Sequence, residues 1–185
     1  YIENLIDGYR TLYVTGRELL ESDITEIQIG TADGSDYQSK RNVPRTITVG
    51  YQLLSTSPEE FREKFNELSR ILDQEQARLV FYDDPDKYFI GTKSEVGDVD
   101  NGKLNVTGEF SFYCCDPYKY SMTEKTFQAN LNDEGTMEVT IQNDGTEECA
   151  VNYTITHNHE NGFVGIVSEY GAMQFGDIDE LDTET

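Results

Sequence analysis

Hydrophobic and polar positions alternate with period two along much of this chain, and that is the signature of half-buried β-strands. In RTITVGYQLLS, residues 45–55, the alternation runs through Ile47, Val49, Tyr51 and Leu53. It is longest further on, where Leu104, Val106, Gly108, Phe110, Phe112 and Cys114 share one face. Asn105, Thr107, Glu109, Ser111 and Tyr113 take the other face. Asp116-Pro117 then ends the strand, because proline has no N–H to give to a ladder. Shorter candidates are LYVT at 12–15 and ITEIQIG at 24–30, the latter alternating imperfectly. Between them and the first long strand, TADGSDYQSKRNVP concentrates turn formers and predicts an exposed loop over 31–44. Two hairpins are expected after residue 77. RLVFYDDPDKYFIGT should turn at Asp-Asp-Pro-Asp, and KSEVGDVDNGKLNV at Asn101-Gly102.

One stretch departs from period two. Phe61, Phe65, Leu68, Ile71 and Leu72 recur at helical spacing, so one apolar stripe should lie on a sheet. Its start is well marked: Ser57 as N-cap, Pro58 at the first helical position, and Glu60 completing an S-x-x-E capping box. The helix should end near Asp73 to Gln76.

From about Ser121 the texture changes. TFQANLN, GTMEVTIQNDG, CAVNYTITHN and GFVGIVSEY read as short strands separated by Asn, Asp and Gly turns, without a helix. The expectation is therefore a mainly β (α+β) chain in two domains. Residues 1–120 form a β-rich domain with one α-helix and β-hairpins, and 121–185 the start of an all-β sandwich. About four strands are too few to close a sandwich, so the second domain should be incomplete or packed on partners.

Composition narrows the function. Against 36 Asp and Glu stand 14 Lys and Arg, giving a formal charge of −22. Nucleic-acid binding draws affinity from cations that displace counterions, so sequence-specific binding is not expected. A passage through which nucleic acid slides without sticking is compatible with this charge. No run of about 18 apolar residues exists, so no membrane span is expected, and no signal peptide is visible. The chain begins at Tyr1, so an upstream piece is expected to be missing. Three cysteines, two of them adjacent at 114 and 115, fit free thiols in a reducing compartment.

Candidate chemistry is thin. His157 and His159 with Glu160 could hold zinc from one strand face, but the segment reads better as a solvated strand end. Asp98, Asp100 and Glu109 superficially match a calcium loop, yet Lys103 stands where its glycine belongs. Asp83, Asp84 and Asp86 cluster around a turn-forming proline, as acidic chains do by chance. No phosphate-binding glycine loop, serine elbow or nucleophile–base pair stands out, so no enzyme, cofactor or metal is expected. Tyr118 and Tyr120 around Lys119 offer flat aromatic surface for a subunit or a sugar ring. Docking back onto their own domain is the plainer reading.

Three features together resemble one family, the distal tail proteins of long-tailed phages that infect Gram-positive bacteria. They are Arg45, Ile47 and Val49 before a capped helix, D-P-D-K-Y-F at 84–89 followed by Gly91, and Phe110-x-Phe112 ending in D-P-Y-K-Y at 116–120. The resemblance covers roughly residues 10 to 121. It implies a structural virion protein whose first domain, a β-sandwich or split barrel, closes head-to-tail into a hexameric ring. The ring would join the tail tube to the baseplate or tip and let DNA pass. The second domain would be galectin-like and would contact a receptor-binding protein. Assembly would take place in the bacterial host cytoplasm, and the product would reside in the virion. Ring closure needs unlike patches that meet around the circle. Tyr37 and Arg41 on the 31–44 loop, Asn101 at a hairpin tip, and Tyr118 and Tyr120 are the candidate inter-subunit or partner contacts. Two rivals remain: a carbohydrate-binding sandwich acting in host cell-wall adsorption, built on Tyr153, Phe163 and Tyr170, and a tail-attached hydrolase.

Overall fold

The computed structural model describes residues 1–100, 102–131, 136–156 and 162–177. It divides into two compact units, Tyr1–Thr126 and Phe127–Thr185. The expected boundary at 120/121 falls a few residues earlier, because the chain returns to the first sheet before it leaves.

The first unit is built on strands β1 (Tyr9–Thr15), β4 (Arg45–Leu54), β5 (Ala77–Phe81), β6 (Asp84–Val96) and β7 (Asn105–Cys114). Strands β2 (Ser22–Ile27) and β3 (Asp36–Asn42) stand apart from that sheet. Helix α1 (Pro58–Leu72) lies in sequence between β4 and β5, and the short β8 (Tyr120–Ser121) ends the unit's strands. Neighbours run β1-β4-β7-β6-β5, and β8 adds to β6. All pairings are antiparallel.

The long alternating strands form as their pattern dictates. Ile47, Val49, Tyr51 and Leu53 from β4, and Val106, Phe110, Phe112 and Cys114 from β7, are all buried. The two strands pair in full register from Arg45↔Cys114 to Leu54↔Asn105, so both apolar sets reach the same face. Helix α1 closes that face with Leu68 and Leu72, buried, and Phe61, Phe65 and Ile71 beside them. An amino-terminal 3-10 turn, Ile2–Asn4, brings in Ile2 and buried Ile6. Each fully buried Leu or Ile contributes about 1.5–3 kcal/mol of transfer free energy, so this one face holds the domain together.

The start of α1 agrees with its sequence signature, with one change. Ser57 Oγ accepts from Glu60 N at 3.2 Å, as an N-cap should. The Glu60 carboxylate reaches past the cap, accepting from Thr56 N at 2.7 Å and taking Lys64 Nζ at 2.7 Å. The helix stops at Leu72, with Asp73 as C-cap.

Three local expectations need correction. The 31–44 segment is not a loop: Asp36–Asn42 pairs with Ser22–Ile27 as a separate two-stranded arm. Its turn formers sit only at the tip, around Thr31–Ser35, and the polar residues beyond them form a strand by pairing with Ser22–Ile27, although neither face is buried. The first hairpin turns at Tyr82-Asp83, one step before the expected Asp-Asp-Pro-Asp, with Phe81 opposite Asp84. Pro85 lies inside β6, where that strand slips register against β5 and a ladder donor is not required. The second hairpin is not tight. Pairing of β6 with β7 stops at Val96↔Phe110, whereas β7 continues to Asn105 against β4. Asn101 itself lies outside the described residues.

In the second unit, β9 (Asn130–Leu131) pairs with β10 (Met137–Glu138), and β11 (Phe163–Ser168) with β12 (Gly171–Gly176). Its regular structure among the described residues is all strand, and none of those residues is buried. CAVNYTITHN, expected as a strand, is irregular over its described part, 149–156. With no buried face to align on, alternation alone does not hold a strand. His157, His159 and Glu160 lie outside the described residues. Among the described ones, no His, Cys, Asp and Glu grouping fits a metal ion, and no helix is long and apolar enough to cross a membrane.

Candidate assembly surfaces

Three surfaces of the first unit remain after the core is accounted for. The first is the sheet face opposite α1. Here Tyr13 lies over Gly50, and its hydroxyl donates to Glu109 Oε1, spanning β1, β4 and β7. A side chain at position 50 would collide with the Tyr13 ring, so glycine is what lets the phenol lie flat. The hydrogen bond pushes the Tyr13 hydroxyl's pKa up. Parallel rungs follow, Thr48 Oγ1 with Ser111 Oγ at 2.9 Å and Gln52 Nε2 donating to Asn105 Oδ1 at 3.1 Å. Thr46, Thr107 and Glu95 sit among them, exposed or nearly so, with Arg10 at the β1 edge. The face is thus a field of hydroxyls and amides with few charges.

The second surface is the arm. Among the described residues its strands pair only with each other, and Ile24, Ile27 and Tyr37 on it are more than half exposed. Cross-strand pairing puts Tyr37 opposite Glu26 and Arg41 opposite Asp23. Successive β2 residues alternate faces, so Tyr37 and Arg41 stand on opposite sides of the arm. Arg41 pairs with Asp23 at 3.2 Å, an exposed ion pair of little energetic weight.

The third is the junction formed by D-P-Y-K-Y. Asp116 Oδ1 accepts from Tyr118 N at 3.0 Å, and Asp116 Oδ2 accepts from the Tyr120 hydroxyl. That bond holds the Tyr120 hydroxyl's pKa up at about 12. Lys119 Nζ meets Asp84 at 2.7 Å, and Tyr120 stacks on Tyr88 with ring centres 5.7 Å apart. Arg78 covers the Tyr88 ring at 4.9 Å, and Met122 N donates to Asp86 O at 2.8 Å. The two D-P motifs therefore interlock: 116–120 is fastened to 84–89. Tyr118 reaches the other way, its hydroxyl accepting from Asn42 Nδ2 at 2.9 Å at the arm's base.

Of the predicted contact residues, the structure gathers Tyr118 and Tyr120 into this junction and leaves Tyr37 and Arg41 apart on the arm. Sequence reasoning missed Asn42, Tyr13 and Glu109. Asn42 carries no signal until residues 36–42 are known to be a strand, and the Tyr13–Glu109 bond joins segments far apart in the chain.

Arg17 and Arg45 brace the rim. Arg17 forms a two-point ion pair with Asp83, 2.8 and 2.7 Å, which raises the arginine's pKa and lowers the aspartate's. Its guanidinium covers Phe81 at 4.5 Å, as Arg45 covers Phe89 at 5.1 Å. Arg45 Nη1 donates to Arg17 O at 2.9 Å. The arginine of the first motif is thereby tied to Phe89 of the second.

Comparison with known proteins places these surfaces in context. No curated protein matches the chain. Among solved structures, the crystal structure of SPP1 Dit (gp 19.1) is similar, with a TM-score of 0.57 and 19% sequence identity. It is described as a paradigm of the hub adsorption apparatus in phages that infect Gram-positive bacteria. The match covers 67% of this chain and 49% of that one, so the alignment spans about half the length of the solved protein. Residues 7–114, more than half of the chain and most of the first unit, match the model of the phage tail protein RIFT-related domain. The chain belongs to the phage tail protein RIFT-related domain family, and its fold is that of a distal tail protein.

Proposed function

We propose that this phage tail protein is the distal hub of the tail: a hexameric ring that joins the tail tube to the baseplate or tip and lets DNA pass. The observation that carries the reading is the family match over residues 7–114 together with the Dit fold. The surfaces described above give the reading its mechanics. A head-to-tail ring needs two unlike patches on each copy. The arm, with Ile24, Ile27 and Tyr37 exposed, supplies one that reaches outward. A sheet whose edges β1 and β5 are unpaired among the described residues supplies others. Asn101 belongs to the same list of contacts by its position in the 97–104 connection.

The hydroxyl- and amide-lined sheet face suits the channel wall. Apart from Arg10 at its β1 edge, this face of threonine, serine and glutamine offers no cation to a passing phosphate backbone, and the chain's −22 charge repels it. DNA would slide without being held. Residues after Phe127 would form the outward domain, a partial galectin-like sandwich whose exposed Val167, Tyr170 and Phe175 meet the rest of its fold or adsorption proteins, a receptor-binding protein among them. In this reading the protein works through surfaces and not through a reacting group, and assembly takes place in the host cytoplasm before the ring enters the virion.

Light scattering with negative-stain imaging tests this directly. Six-fold rings from the purified chain are the expected result. A monomer that persists at high concentration, alone and with tail-tube protein added, would sink the reading.

A further inference from the structure

Among the described residues, the arm is joined to the rest of its unit by one side-chain hydrogen bond, from Asn42 Nδ2 to the Tyr118 hydroxyl. The other side-chain hydrogen bonds described for residues 22–42 stay within the arm: Ser22 to Asn42, Ser35 to Glu26, Gln38 to Asp36 and Arg41 to Asp23. Backbone continuity adds only Val43 N to Glu21 O, at the base. A two-stranded ribbon held in this way pivots at its root unless something fixes the root.

Tyr118 is held by its own domain on several sides, and the arm is held through Tyr118. Asp116 holds the Tyr118 backbone at 3.0 Å, buried Pro117 seats the turn, and Lys119 and Tyr120 are fastened to Asp84 and Tyr88. These residues also lie on the stretch by which the chain leaves β7 on its way to Phe127. We infer that Tyr118 is a hinge pin: its hydroxyl sets the arm's angle on the domain, and Asp116 ties that angle to the exit of the chain. The D-P-Y-K-Y segment is then a positioning device that couples the arm to the outgoing chain, and not itself a contact for another subunit. The inference concerns a single copy and stands apart from ring formation. Its consequence for assembly rests on the proposed hub reading.

Backbone 15N relaxation of the full chain tests it. In the wild type, residues 22–42 should show order parameters near the ~0.85 of rigid backbone, and in Tyr118→Phe or Asn42→Ala values below ~0.6. Residues 45–54 and 105–114 should not change. Combining both substitutions should loosen the arm no further than Asn42→Ala alone, since that change already removes the bond to Tyr118 together with the one from Ser22. Asp116→Ala, which removes no bond to the arm, should loosen it as well. An arm equally rigid in Tyr118→Phe, or already mobile in the wild type, overturns the pin. An arm indifferent to Asp116→Ala overturns the coupling. Rings are scored separately on the same samples. If no variant forms them, wild type included, yet the arm loosens as stated, the hub reading fails and the pin stands.

Discussion

Single residues decide how closely this sheet packs. Gly108 stands where any Cβ would lie 2.7–2.9 Å from the Tyr51 phenol, and Tyr51 is only 1% exposed, so its ring has nowhere to go. Gly108→Ala should therefore cost about 1–3 kcal/mol by overpacking, read as a lower urea midpoint with unchanged slope. Cys114 is also fully buried, and burial pushes its thiol's pKa up from 9.0 to about 11. Cys115 and Cys149 are exposed. A thiol reagent at pH 8 should thus modify two cysteines in the native chain and the third only after unfolding. The same shift has a definite sign. Folding favours the neutral thiol, so its contribution is complete below pH 9 and fades as pH rises toward 11. Tyr9, pushed by burial from 10.0 to about 12, extends the loss to higher pH. Cys114→Ala should flatten the decline between pH 9 and 11 and leave the later part. At this scale burial was legible from alternation alone. Which hydroxyl meets which amide was not, because Asn42 and Tyr118 lie far apart in sequence.

Among the elements, α1 is the one whose ends the sequence dictates most fully. Ser57→Ala should cost about 1 kcal/mol, the ordinary loss of an N-cap. The Glu60 carboxyl is held down at about 2, first by Lys64 and then by Thr56. A lowered carboxyl stabilises above its ordinary 4.5, and that help is lost as pH falls from there to 2. Helical circular dichroism should therefore decline over that acid window, and less so in Glu60→Gln, which lacks the titrating group. The arm shows the opposite case. Residues 36–42 hold no apolar alternation, so nothing local marks them as a strand, and only pairing with 22–27 makes them one. The pattern predicts a strand at 87–92 after an Asp-Asp-Pro-Asp turn, whereas the strand runs from Asp84 to Val96 and the turn falls one step earlier. Proline next to two aspartates mimics a turn, whereas lasting pairing at Phe81↔Asp84 puts the reversal before it.

For the molecule as a whole, net charge and assembly oppose each other. Copies carrying −22 each repel over the Debye length, about 30 Å at 0.01 M salt and about 8 Å at 0.15 M. In the hub reading, the ringed fraction should therefore rise with salt over that range, as measured by light scattering at fixed protein concentration. An interface held mainly by ion pairs would show the reverse. The exposed apolar residues of the arm, Ile24, Ile27 and Tyr37, favour the first outcome, since apolar contact is not screened.

The sequence alone determined the mainly β class, the core faces of β4 and β7, the capped helix, and the motifs that resemble the tail family. Each follows from local periodicity or local hydrogen bonding, which the chain carries wherever it is placed. Tertiary structure decided that a polar segment is an arm, that Tyr13 crosses Gly50 to reach Glu109, and that the two D-P motifs lock together. Those depend on which distant segments become neighbours. That choice is made by the burial of one shared apolar face, and no stretch of sequence read by itself contains it.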